Sequence, residues 1–345
     1  MSIPLSAAEL AARVLDGRTA AVSRAITWAE SNDRRFPELL SLLHPRGGRA
    51  RVIGLTGSPG AGKSTLTAAL ARLARAEGKR VGIVAVDPSS PFSGGAILGD
   101  RIRMQDHATD PGVFIRSLGT RGHLGGLSRS TADLVAVMDA MGKDVILVET
   151  VGVGQDEIEI ASLAHTVVVV AVPGMGDDVQ AIKAGVMEIA DLFAVNKADR
   201  EGSERTVRDL QGMLELRRIV QPAGHDLEHR TTSAGGAYAQ ATWSSWEPPI
   251  VRTVAVTGEG VAELAAAIER HGAHLAQSGE RLRRDVSRAR ATFVAILRER
   301  LLAGALARLE LELGRLDDVA ERIAARQADP YQLADELAAR VRGAP

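Results

Sequence analysis

At 345 residues, with 45% hydrophobic and 25% charged side chains, the chain has the composition of an ordinary globular protein and exceeds the size of a single small core. Its 42 basic residues balance 43 acidic ones, and the net charge of −1 gives no overall pull towards nucleic acid or anionic lipid. There is no cysteine, which excludes a disulfide framework, a thiolate zinc site and a cysteine nucleophile.

Residues 5–45 carry Leu5, Leu10, Val14, Val22, Ile26 and Trp28 spaced as one apolar face, which predicts two or three amphipathic helices. The start lacks the apolar segment of a signal peptide, and no window reaches the roughly 18 uninterrupted apolar residues of a membrane span. The expected location is therefore the cytoplasm, with no membrane and no nucleic acid as partner. This helical extension, 1–48, closes at the glycines of His44-Pro45-Arg46-Gly47-Gly48-Arg49.

From Arg51 the texture changes to short β-branched runs separated by helical stretches. The runs are Val52–Leu55, Val81–Val86, Gly112–Ile115, Asp144–Val148, Thr166–Val172, Leu192–Val195 and Ile250–Val256. Runs that are apolar throughout, without alternation, are what strands covered on both faces look like. They predict an α/β fold over 49–275, a doubly wound and mostly parallel sheet with ligands at the carboxyl ends of its strands. Residues 211–247 weaken into a polar stretch read as surface loop with some helix. The remainder, 276–345, shows long apolar stripes through Val286, Phe293, Leu297 and Leu301. A lone peripheral helix cannot hide so much apolar face, so a second copy of the chain is the expected cover, with packing on its own domain as the alternative. The arginines crowding Arg281 to Arg300 read as a solvated helix face first and a partner patch second.

The most informative segment follows the first run: Gly57, Ser58, Pro59, Gly60, Ala61, Gly62, Lys63, Ser64 and Thr65, set between a strand and an alanine-rich helix. Its glycines let consecutive N–H groups turn inward onto an anion, and the helix adds its positive N-terminal end. Lys63 would reach the outer phosphates, and the Ser64 hydroxyl would ligate the Mg2+ of a nucleoside triphosphate.

About 130 residues later, Val195-Asn196-Lys197-Ala198-Asp199 ends another apolar run. The Asp199 carboxylate can accept from guanine N1–H and its exocyclic amine, whereas adenine presents the opposite arrangement, so GTP and GDP are the expected ligands. Asn196 would read the other purine edge, the Lys197 stem would cover the ring, and Thr257 with Gly258 would complete the base pocket. Between these motifs, Val148-Glu149-Thr150-Val151-Gly152 closes a further run. There a carboxylate can hold magnesium through water, and the Gly152 amide can sense the terminal phosphate.

These stretches, with Val86-Asp87-Pro88-Ser89-Ser90 and the segment 172–199, resemble the GTPases that act as chaperones for cobalamin-dependent acyl-CoA mutases, the methylmalonyl-CoA mutase-associated family related to the metallochaperone GTPases. The resemblance covers the whole chain, and descriptions of such sequences as arginine/ornithine transport kinases read as misassignments. It implies a P-loop GTPase domain with an N-terminal helical extension and a C-terminal dimerisation arm. It also implies that Asp87 lies near the attacking water and the metal, Asp100 on the magnesium side of a first switch, and Glu149 in a second. Asp177, Asp178, Gln180 and Lys183 fall in a third switch facing the partner mutase. On their own, those four residues read as a solvated helix start. The implied activity is GTP hydrolysis, slow alone and stimulated by the partner, which gates adenosylcobalamin delivery to the mutase and protects it. No cobalamin is expected on the chain itself, and the protein is expected to be a homodimer. Arg101, Arg103, Arg116 and Arg121 are candidates for an arginine finger, each read first as an ordinary surface or paired arginine. Two rivals stand beside this reading: a nickel-type metallochaperone, disfavoured by scattered histidines and no cysteine, and a small-molecule kinase.

Overall fold

In the computed structural model, which describes residues 5–88, 109–120, 129–150, 156–174, 184–220, 246–313 and 316–342, each expected apolar run is a strand. The strands are β1 (Arg51–Thr56), β2 (Val81–Pro88), β3 (Val113–Thr120), β4 (Val145–Thr150), β5 (Thr166–Ala171), β6 (Leu192–Asn196) and β7 (Ile250–Thr253). They form one parallel sheet in the order β3-β2-β4-β1-β5-β6-β7. Central β1 has β4 on one side and β5 on the other. The winding reverses there, so its carboxyl end opens into the crevice where sheets of this kind take ligands.

The helices, in chain order, are α1 (Ala7–Leu15), α2 (Thr19–Glu30), α3 (Phe36–Leu43), α4 (Lys63–Ala76), α5 (Arg129–Ala140), α6 (Asp156–Leu163), α7 (Ala184–Ile189), α8 (Ser203–Val220), α9 (Val261–Gln277), α10 (Glu280–Leu313), α11 (Leu316–Ala324) and α12 (Pro330–Arg342). Of these, α1–α9 cover the sheet on both faces, which is why β4, β5 and β6 are buried at every position. One core joins Leu10, Val22, Trp28 and Leu39 of α1–α3 to Val84, Met138, Ile146 and Val148. The other joins Leu66 of α4 and Leu264 of α9 to Ile53, Leu55 and Leu147. Truncating any of these leucines to alanine would cost about 2–5 kcal/mol, so the N-terminal helices are part of the sheet's own core.

Local chemistry sets the helix starts. The Ser6 side chain accepts from the Glu9 amide at 3.2 Å, and Glu9 accepts from the Ser6 amide at 2.9 Å, a reciprocal cap for α1. The link from α3 to β1 is fastened by one carboxylate: Asp139 of α5 accepts from the amides of Gly48, Arg49 and Ala50.

Two boundaries depart from the sequence reading, those of β3 and β7. β3 runs on through the polar Arg116 and Ser117 because β2 offers it a full ladder as far as Pro88 opposite Thr120. α8 supplies the helix expected at the start of the polar stretch 211–247, as far as Val220; residues 221–245 lie outside the described residues. β7 stops at Thr253, because the chain then bends through a bridge between Val254 and Glu259.

The chain divides into two compact units, Met1–Arg284 and Asp285–Pro345. Within the first, the opening turn of α10 is bolted to the base of the sheet. Arg284 donates to both carboxylate oxygens of Asp191 at 2.9 and 3.0 Å and to the His165 carbonyl at 2.9 Å. Asp191 also accepts the Val167 amide at 2.8 Å. His271 of α9 lies beside this carboxylate, 1% exposed, with its Nδ1 2.9 Å from the Thr166 hydroxyl. Within the second unit, Val286, Phe293, Leu301 and Leu302 are each more than half exposed.

Candidate functional site: a phosphate loop and a base loop at the carboxyl edge of the sheet

β1 delivers the chain into the loop at Gly57, whose φ is +137°. A Cβ at this position would collide with the Val170 carbonyl of neighbouring β5, so only glycine lets the loop leave the strand here. The loop closes at Gly62, the N-cap of α4, with φ +88°. A Cβ at Gly62 would strike the Asn196 amide, so this glycine also admits a side chain from the distant base motif.

Lys63 and Ser64 open α4 and are both buried, at 6% and 9% exposure. The Lys63 ammonium lies under the loop and donates to the carbonyls of Gly57 at 2.6 Å and Ser58 at 2.9 Å. The Ser64 hydroxyl donates to the Glu149 carboxylate at the end of β4, itself 4% exposed. A hydroxyl and a carboxylate meeting at a helix N-terminus are the hard oxygen donors that magnesium takes, so these residues fit the ion. The side chain of Asp87, the whole of Asp100, and Gly152 lie outside the described residues.

The base motif leaves β6 at Asn196, which is 2% exposed and makes three hydrogen bonds to its surroundings. Its Nδ2 donates to the Ala61 carbonyl at 2.8 Å. Its Oδ1 accepts from the Ala255 amide at 3.1 Å and the Thr253 hydroxyl at 3.3 Å. With both lone-pair directions used, one N–H of Asn196 is left for a purine edge. Lys197 takes φ +57°, rare for a residue with a side chain, and its ammonium donates to the Gly60 carbonyl at 2.8 Å. Asp199 is exposed at the tip of the motif.

Thr257 and Gly258 turn their amides back onto the Val254 carbonyl, at 3.1 and 2.9 Å. The loop therefore meets Asn196 at Ala255, two residues earlier than the spacing suggests. Val256 follows it, 82% exposed. Residues Gly57 to Thr65, Glu149 and Asn196 to Asp199 thus gather on one edge of the sheet. The switch residues Asp177, Asp178, Gln180 and Lys183, and the arginines Arg101, Arg103 and Arg121, lie outside the described residues. Arg116 is held by Glu30 of α2, both carboxylate oxygens lying 3.2 Å away, and is occupied as a structural ion pair.

No sequence signal points to Asn196 as a brace on the phosphate loop, since the bond joins residues 135 apart in the chain. Among the described residues, no cluster of three His, Asp or Glu side chains could hold a metal ion, and no helix is long and apolar enough to cross a membrane.

The geometry has counterparts among known proteins. The crystal structure of a LAO/AO transport system kinase superposes with a TM-score of 0.65 at 25% identity and covers 99% of each chain. A Pyrococcus horikoshii protein is 45% identical over 336 residues, 97% of this chain and 98% of its own length. The Escherichia coli GTPase ArgK is 38% identical over 265 residues, 76% of this chain and 74% of its own. The family model described as Methylmalonyl Co-A mutase-associated GTPase MeaB matches residues 22–310. With a phosphate loop, the Ser64–Glu149 oxygen pair and an Asn-Lys-Ala-Asp motif gathered at one end of the sheet, the chain belongs to the MeaB family of methylmalonyl-CoA mutase-associated GTPases.

Proposed function

We propose that the chain binds magnesium-GTP, hydrolyses it slowly alone, and uses its nucleotide state to gate adenosylcobalamin delivery to a cobalamin-dependent acyl-CoA mutase, methylmalonyl-CoA mutase, in the cytoplasm. The observation that carries this reading is the meeting of Ser64 and Glu149 beside a loop that Asn196 and Lys197 brace from the base side. Lys63 would exchange its loop carbonyls for phosphate oxygens, Ser64 and Glu149 would hold magnesium, and Asp199 would accept from guanine. Bound magnesium would neutralise charge on the transferring phosphate.

Asp87 and Asp100 would flank the metal, Gly152 would sense the γ-phosphate, and Asp177, Asp178, Gln180 and Lys183 would carry that state to the mutase. Residues 1–48 would brace the G domain of 49–275, and the arm of 276–345 would pair with a second copy through Val286, Phe293, Leu297 and Leu301. The exposure of these side chains supports that arrangement.

The test is hydrolysis of GTP and ATP by the purified protein, with and without a cobalamin-dependent methylmalonyl-CoA mutase. GTP-specific turnover that rises severalfold with the mutase is the expected result. The rival reading is a small-molecule kinase. Equal use of ATP, or turnover indifferent to the mutase, would favour it.

A further inference from the structure

Thr56 and Thr150 stand side by side at the carboxyl ends of β1 and β4, and the Thr150 hydroxyl donates to the Thr56 oxygen at 3.0 Å. Both are buried, at 0% and 1% exposure. The parallel ladder between the two strands runs only as far as Leu55 opposite Glu149. The hydroxyl pair therefore carries the attachment one residue past the last registered backbone pair. That residue lies just before Gly57 on one strand and just after Glu149 on the other.

Successive side chains of a strand point to opposite faces. Glu149 meets Ser64 on the face covered by α4, and Thr150 meets Thr56 on the face covered by α5 and α6. The end of β4 is thus held from both sides at once. Packing alone does not call for hydroxyls here, because valine has nearly the same shape and its neighbours along the strands, Val148 and Ile146, are apolar. A buried hydroxyl costs free energy unless it is hydrogen-bonded, and what the pair supplies in return is direction.

The geometry points to Thr150 as a positioning residue for Glu149: by tying the last residue of β4 to the last residue of β1, it fixes the carboxylate against Ser64. This rests on the nucleotide-site reading above. Glu149 would hold magnesium through a water of the ion's octahedral shell. Since β2 already pairs β4 as far as Val86 opposite Thr150, the hydroxyl pair supplies the hold on the β1 side, where Glu149 meets Ser64.

Thr150→Val removes the hydroxyl at constant volume, Thr150→Ser restores it, and Thr56→Val removes the acceptor. The readout is the magnesium concentration that half-maximally slows release of a fluorescent GDP, with thermal unfolding measured alongside. T150V is expected to raise that concentration about fivefold, the worth of one buried hydrogen bond. T150S should return it to the wild-type value, and the T56V/T150V double variant should be no worse than T150V alone. If T150V fails to fold, T56V carries the same expectation and is judged the same way. A folded T150V with wild-type magnesium dependence, or a folded T150S that does not restore it, overturns the assignment. Failure of the wild-type protein to release GDP in a magnesium-dependent way would overturn the nucleotide-site reading instead.

Discussion

The side-chain amide of Asn196 donates to the Ala61 carbonyl at 2.8 Å, joining the end of β6 to the phosphate loop across 135 residues of chain. Asn196→Ala would lose this bond together with those from Ala255 and Thr253. The expected cost is about 2–3 kcal/mol of stability, along with weaker GDP binding, because the two loops no longer share a brace. Asn196→Asp should not rescue either property, since it sets a carboxylate oxygen against the Ala61 carbonyl. Thermal unfolding paired with calorimetric GDP titration checks both. Weakened binding at an unchanged Tm would leave Asn196 a base contact alone.

Gly62→Ala tests the same junction from the other side. The new methyl would meet the Asn196 amide at a backbone angle that L-residues rarely adopt, so the variant should unfold at lower temperature and bind GDP poorly. Gly60→Ala makes a useful control, because nothing lies within 4 Å of its added Cβ, and only the strain of φ +78° remains.

Asp199 is exposed and contributes nothing to the core, so Asp199→Asn should leave the melting temperature unchanged. Two charge-assisted bonds to guanine would be lost or inverted, and GTP affinity should fall about a hundredfold or more. Competition between GTP and ATP measures the loss directly, and a variant with wild-type affinity would remove Asp199 from the base site.

His271 gives the protein a pH signature. Burial is the main cause that lowers its pKa to about 4; Arg284 and His274 add to the effect, while Asp191 opposes it. Folded His271 therefore stays neutral where the unfolded chain, with an ordinary histidine value near 6.5, already binds a proton. Its contribution is fully present above about pH 6.5 and is lost as pH falls towards 4, by roughly 3 kcal/mol at most. His271→Asn should flatten the decline in chemical-denaturation stability over that window. An unchanged slope would place the acid sensitivity elsewhere.

The exposed stripe on α10 predicts association. Phe293→Asp should convert a dimer to a monomer in light scattering while leaving GTP hydrolysis without the mutase intact. A wild-type protein that is monomeric at micromolar concentration would refute the pairing.

Much of the architecture was legible because parallel strands covered on both faces leave unbroken apolar runs such as Thr166–Ala171, and because a phosphate loop needs its glycines at fixed positions. The ends of elements were less legible. β3 continues through Arg116 and Ser117 on the strength of its ladder with β2, which composition does not register. Within the site, Lys63, Ser64 and Glu149 could be nominated from local motifs. The links of Asn196 to Ala61, Thr150 to Thr56 and Arg284 to Asp191 could not be, since each joins residues far apart in sequence and depends on strand order.

The bond from Arg284 to Asp191 also sets a limit on how the chain can be shortened. Asp191 sits immediately before β6, and its carboxylate is largely enclosed by the sheet. A fragment that stops at the end of α9 would keep every nucleotide motif yet strand that carboxylate without its guanidinium, a loss of about 3–5 kcal/mol when a buried pair is broken. An arm-less protein meant for crystallisation or kinetics should therefore run at least through Arg284. A shorter one would be destabilised by that amount, and a loss of activity in it would not report on the arm alone.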